Sequence, residues 1–176
     1  FKSQILTLGL VMIGIFGMFV ILFRNIKLSL IGVVPNFIAA FFILGVIGLM
    51  GIPLDMMTIT IAAITIGIAV DNSIHYIYRF IEEYKKNKNY IEVINTCHST
   101  VGIAILNTSI TIFFGFSILI LSNFIPTIYF GIFTGIAMLL AMILVLTLLP
   151  SLIILIKPFG IKINDWTNYR NIKQNI

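Results

Sequence analysis

Charge is what this sequence has least of. Only 10% of its 176 residues are Asp, Glu, Lys or Arg, where soluble domains carry about 25%. A soluble fold of this length needs polar surface to cover its core. A chain that is 60% hydrophobic, with a mean hydropathy of +1.13, lacks it. Composition therefore points to the membrane class. One cysteine, Cys97, excludes an internal disulfide framework and argues against a cysteine metal cluster. Gly-x-Ser-x-Gly and His-Glu-x-x-His motifs are missing. The Gly-x-Gly-Asp arrangement of intramembrane aspartyl proteases is missing too, since Ala69-Val70 precedes Asp71. The expectation is a protein that is not an enzyme, with no metal and no cofactor. A short secretory leader is also missing: the first apolar run is too long for one, and the chain begins at Phe1. That start fits a segment of a longer polypeptide.

What is present is a series of apolar runs of about 20 residues, the length that crosses a bilayer. They cover Gln4–Phe23, Leu28–Met50, Met56–Phe80, Ser99–Leu121 and Pro126–Ile156. The fold class expected is all-α, a polytopic bundle of five spans over residues 1–158 with a polar tail over 159–176. Lysine and arginine favour the cytoplasmic side of a membrane. Ten of the eleven fall on one side of this arrangement, and Lys2 alone on the other. The N-terminus is thus expected outside and the C-terminus in the cytoplasm. The net charge of +5 is read as a topology signal, so nucleic acid is not an expected partner. Asn89-Tyr90-Ile91-Glu92 has a cap residue followed three positions on by Glu, a helix-start pattern. It predicts a short amphipathic cytoplasmic helix over about 89–98, with Ile91, Ile94 and His98 on one face; the alternative reading is a solvated charged loop. Small residues at helix-contact spacing, Gly14 and Gly17, Gly45 and Gly48, Gly131 and Gly135, predict close helix packing. Pro35 and Pro150 lie inside spans and predict kinks.

The third span carries the chemistry. Asp71 lies about 12 Å from the end marked by Arg79, at 1.5 Å per residue, well inside a hydrocarbon core about 30 Å thick. A charged aspartate at that depth costs about 2.5–3.5 kcal/mol on insertion scales, so a partner or a function must compensate. Asp71, His75 and Arg79 are spaced i, i+4, i+8 and share a helix face. Histidine is the side chain that ordinarily changes charge near neutral pH, which makes His75 a relay candidate beside Asp71; Arg79 reads better as a topology anchor. On the fourth span Thr100, Ala104, Asn107, Thr108, Thr111 and Gly115 line one face, with Asn107 and Thr108 at the depth of Asp71. Two spans with polar groups at one level are expected to face each other in the bundle interior. The proton-relay candidates are Asp71, His75, Asn107, Thr108 and Thr111.

The run Gly67-Ile-Ala-Val-Asp71-Asn-Ser-Ile-His75-Tyr-Ile-Tyr-Arg79-Phe, followed by Glu82-Glu83, resembles the Asp-bearing helix of resistance-nodulation-division (RND) exporters, in particular their MMPL and sterol-sensing-domain-like branch. Ser99-Thr100-Val-Gly102 through Asn107-Thr108-Ser-Ile-Thr111 to Gly115-Phe116 is similar to that family's next helix. Ser122, Pro126, Gly131, Gly135 and Leu148-Leu149-Pro150-Ser151-Leu152 continue the likeness to about Pro158. The family has two six-helix halves, each with a large extracytoplasmic domain after its first helix. The resemblance implies the last five helices of one half, with the C-terminal half the better match. It implies export of hydrophobic or amphiphilic molecules, lipids among them, driven by the proton gradient across a bacterial cytoplasmic (inner) membrane. Asp71 would then be the proton carrier. The partners implied are the bilayer, the other half of the transporter with its extracytoplasmic domains, a hydrophobic or lipid substrate, and in some assemblies further copies of the same protein. The family's aromatic residue after the Asp is replaced here by Asn72, which puts an Asp–Tyr pair in doubt. Alternative readings are a sterol-sensing-like or assembly module that does not transport, and a relative of the protein-translocation components SecD and SecF.

Overall fold

The computed structural model describes residues 2–52 and 56–159, without the side chains of residues 2–5, 8, 56 and 57. The tail over 160–176 lies outside the described residues. Six α-helices follow one another: α1 (Lys2–Phe23), α2 (Ile26–Leu49), α3 (Met56–Lys86), α4 (Tyr90–Cys97), α5 (Ile103–Ser117) and α6 (Ile125–Ile156). Among the described residues there is no strand. A π-helical turn over His98–Gly102 joins α4 to α5, and a 3-10 turn over Ile118–Leu121 ends α5. Among the described residues four stretches are long and apolar enough to cross a bilayer: Ile26–Leu49, Thr58–Lys86, Tyr90–Leu121 and Ile125–Ile156. In α1 the apolar helix over Gly9–Phe23 is shorter, although the helix itself has 22 residues. At 1.5 Å per residue those 22 reach about 33 Å, enough for a hydrocarbon core.

Local chemistry explains the helix boundaries. Asn25 caps α2, its Oδ1 accepting from the N–H of Lys27 at 3.0 Å and of Leu28 at 3.4 Å. The second helix accordingly begins ahead of the apolar run. Gly51, with φ +68°, takes the left-handed turn that follows α2, which glycine adopts without steric cost. Helix α3 runs past Phe80 to Lys86 because its charged end is self-paired. Arg79 bonds Glu82 at 3.1 Å and Glu83 at 3.0 Å, and Lys86 bonds Glu83 at 3.0 Å. Lys85 and Lys86 in the last turn also suit the helix dipole. Asn89 caps α4 by accepting from the Ile91 N–H at 3.1 Å. Glu92 reaches back as the sequence pattern predicts, but to the Asn89 side-chain amide at 3.0 Å. The Asn89 backbone N–H bonds Asn87 Oδ1 instead, at 3.1 Å.

Helix α6 is the spine. It packs on α2, α3 and α5, and α2 packs on α3, while α1 rests on α2. The buried face of α4 is Tyr90, Val93, Ile94 and Cys97, so this helix lies against the ends of α3 and α6. Beneath it Phe80, Tyr84, Tyr90 and Phe159 form a ring cluster with centroids 4.8–6.4 Å apart. The glycine pairs divide. A Cβ on Gly131 would lie 2.7 Å from the Phe116 carbonyl and 2.9 Å from Leu119 Cβ, and one on Gly135 would lie 3.2 Å from Phe113. These two form the α5–α6 seam. Among the described residues a Cβ on Gly14, Gly17, Gly45 or Gly48 would meet nothing within 4 Å, so their small faces meet no other described helix. Gly32 lies where α1, α2 and α3 converge, with a Cβ position 2.6 Å from Phe19 and 2.7 Å from Ile77. Helices α2 and α6 both continue through their internal prolines, Pro35 and Pro150.

Candidate functional site: a carboxylate–imidazole pair on an open helix face

Helix α3 has two faces of different character. Ala62, Thr65, Ala69, Ser73, Tyr76 and Ile77 are buried against α2 and α6, as is Asn72, the residue that stands where the family pattern has an aromatic. Ala63, Gly67, Asp71, His75 and Tyr78 recur at intervals of three and four on the other side, and all are exposed. Asp71 thus faces away from this chain's core. Its Oδ1 lies 3.5 Å from His75 Nε2, with the two side chains 68% and 67% exposed. The i, i+4 spacing brings the pair together as the sequence predicts.

The stripe stops at His75. Arg79 is turned into its clamp with Glu82 and Glu83, so it serves the end of the helix and not the Asp71–His75 pair. Asn107, Thr108 and Thr111 also lie on an open face, that of α5, and Thr111 Oγ1 donates to the Asn107 carbonyl at 2.9 Å. The expectation that the third and fourth spans face each other in the bundle interior is corrected here. Helices α3 and α5 share no extended interface; each packs on α6, and it is α4 and the π turn ahead of α5 that pack on α3. Depth along a span fixes the level of a residue, not the direction it faces, which is why the sequence placed these groups at one height but misjudged their partners. Within this chain Asp71 and His75 meet, and the α5 trio stands apart from them.

Two polar contacts hold the buried side of α3. Ser73 Oγ donates to Asn36 Oδ1 at 3.4 Å, while Asn36 Nδ2 donates to the Gly32 carbonyl at 2.8 Å. Tyr76 OH lies 3.0 Å from His98 Nδ1, and His98 Nε2 lies 3.0 Å from the Leu146 carbonyl. One signal for the second contact lies in Pro150, which removes the donor that the Leu146 carbonyl would otherwise have. Between α1 and α2 lies a cavity of about 550 Å³ lined by Met12, Phe16, Leu30, Val33 and Phe37 with other apolar residues. Among the described residues no three His, Cys, Asp or Glu side chains converge as a metal site would require.

A carboxylate in the middle of an apolar span, with glycine four residues before it and histidine four residues after, belongs to a recognisable family. The model of the MMPL family matches residues 2–175. The chain belongs to the MMPL family. A membrane protein of Methanocaldococcus jannaschii is 33% identical over 154 residues, which are 88% of this chain and 40% of that protein. The chain therefore spans well under half the length of that relative. No solved structure matches. With its apolar helices, this MMPL chain is a multi-pass membrane segment of the RND superfamily.

Proposed function

We propose that this MMPL chain is the membrane bundle of an RND-type exporter that uses the proton-motive force to move hydrophobic or amphiphilic molecules, lipids among them. The observation that carries the reading is the Asp71–His75 pair, set at the middle of an apolar span on a face that this chain leaves open. A carboxylate turned toward lipid is costly. The open stripe of α3 therefore calls for cover by protein or by a water-filled passage. In the proposed mechanism the other half of the transporter supplies that cover.

Asp71 takes up a proton in one arrangement of the bundle and releases it in another, and His75 receives or returns it four residues closer to the basic, cytoplasmic end. Neutralising Asp71 removes the cost of holding a charge at this depth. The protonated and deprotonated forms then favour different packings of the open face, which is the differential interaction that any driven conformational change requires. Asn107, Thr108 and Thr111, on the open face of α5, supply hydroxyl and amide groups as further relay members once the other half of the transporter covers both faces. The apolar cavity between α1 and α2 suits an alkyl chain. The bundle sits in the cytoplasmic (inner) membrane with α4 on the cytoplasmic side.

The test uses the full-length protein in proteoliposomes with an imposed pH gradient and a trapped pH-sensitive dye. Asp71→Asn keeps the size of the side chain and removes its proton. It should abolish substrate-linked proton flux while the protein remains folded, and His75→Gln should slow the flux. Undiminished proton-coupled transport by the Asp71→Asn protein would refute the carrier role.

A further inference from the structure

Helix α6 passes through Pro150 without interruption. Proline has no N–H, so the carbonyl of Leu146, four residues earlier, loses its helical donor. In an apolar span no water replaces that donor, and an unpaired carbonyl is costly. His98 fills the gap, its Nε2 lying 3.0 Å from the Leu146 oxygen. Gly102, at the other end of the same π turn, has its Cβ position 3.7 Å from Leu146 Cδ2, so the turn lies close against α6 at this level.

To donate to Leu146, Nε2 must carry a proton. In the neutral ring Nδ1 is then an acceptor. Tyr76 OH stands 3.0 Å from Nδ1, and Tyr76 is 0% exposed. The Ile94 carbonyl is also near Nδ1, at 3.2 Å, but two acceptors cannot satisfy each other. The Nε2–H tautomer gives the tyrosine O–H an acceptor and the orphaned carbonyl a donor; in the other tautomer Nδ1–H donates to the Tyr76 oxygen or the Ile94 carbonyl, and the Leu146 carbonyl is left unpaired. Three elements thus meet at one ring: α3 through Tyr76, the π turn through His98, and α6 through Leu146.

We propose that Tyr76 and His98 form a bridge that ties α3 to a proline hinge in α6. His98 supplies the donor that Pro150 lacks, and Tyr76 fixes the tautomer in which it can do so. The helical turn that Pro150 weakens is thereby held by contact with α3 and not by α6 alone. The bridge is independent of whether Asp71 carries protons.

Hydrogen–deuterium exchange of the full-length protein in lipid nanodiscs, followed at the amides of residues 147–156, tests it. His98→Leu should accelerate exchange there about tenfold, equivalent to about 1.4 kcal/mol. Pro150→Ala gives position 150 an N–H for the Leu146 carbonyl, so in that background His98→Leu should accelerate exchange by less than about threefold, the loss then being confined to the tyrosine contact. His98→Gln, able to donate at one end and accept at the other, should restore most of the protection. Equal acceleration by His98→Leu with and without Pro150 would overturn the bridge, as would His98→Gln exchanging as fast as His98→Leu. If the His98→Leu protein does not fold, the double variant with Pro150→Ala decides. Its recovery supports the bridge, and its failure to recover overturns it.

Discussion

Replacing Gly131 by alanine sets two known effects against each other at the α5–α6 seam. Alanine is favoured over glycine in a helix interior by about 1 kcal/mol. Against this, the new methyl would lie 2.7 Å from the Phe116 carbonyl oxygen and 2.9 Å from Leu119 Cβ. Ordinary carbon contacts begin near 3.5 Å, so α5 and α6 must separate by roughly half an ångström or more. Both obstacles belong to or adjoin the backbone and cannot rotate away. Overpacking of this kind costs about 1–3 kcal/mol, and the rigidity of the obstacle favours the upper part of that range. The expected net loss is about 1–2 kcal/mol. Gly135→Ala is the internal comparison, because there the nearest atoms are the ring carbons of Phe113 at 3.2 and 3.4 Å. A ring can turn, so this variant should be within about 0.5 kcal/mol of the parent, its helix-propensity gain offsetting a small adjustment. Reversible unfolding of the full-length protein in mixed detergent micelles measures both. A Gly131→Ala protein as stable as the Gly135→Ala protein would refute the close-packed seam.

Other consequences can be checked as directly. Tyr90 OH accepts from the Phe159 N–H at 3.1 Å; Tyr90→Phe removes that bond and should cost about 0.5–1.5 kcal/mol, seen as faster amide exchange at Phe159. Cys97, on the buried face of α4, is 0% exposed. Its alkylation by a maleimide, followed by peptide mass, should be at least about tenfold slower in the folded protein than in detergent-unfolded protein, because reaction requires local opening. Equal rates would show that α4 does not stay docked on α3 and α6.

The helical architecture was legible because lipid-length apolar runs admit few other structures. The Asp71–His75 pairing was legible for a similar reason: i, i+4 neighbours on a helix must be close whatever surrounds them. What escaped is tertiary. The charged stretch after Phe80 reads as loop from composition, yet Arg79, Glu82, Glu83 and Lys86 are spaced to pair along a helix, and α3 continues through them. The glycine pairs could be recognised as small faces, but spacing does not tell which meets a neighbour. Gly131 and Gly135 do; Gly45 and Gly48 do not within this chain. The open directions of Asp71 and of the α5 trio depend on rotation about helix axes that only packing sets. His98 is twenty-two residues from Tyr76 and forty-eight from Leu146, so no local spacing pairs it with either; Pro150 marks only the carbonyl that needs a donor.

The attachment of α5 limits how this bundle can move. Helices α2, α3 and α6 each touch the other two and form a closed triangle, whereas α5 is held mainly along the seam it shares with α6. A rod fastened along one edge keeps one easy degree of freedom, rotation about that edge. Its start is further pinned where the π turn reaches α3, so the far end, past Thr111, has the longer arc. Relative motion between the face of Asp71 and the face of Asn107, Thr108 and Thr111 therefore reduces to an angle. One distance between a label on the outer side of α3 and another near the end of α5 suffices to follow it.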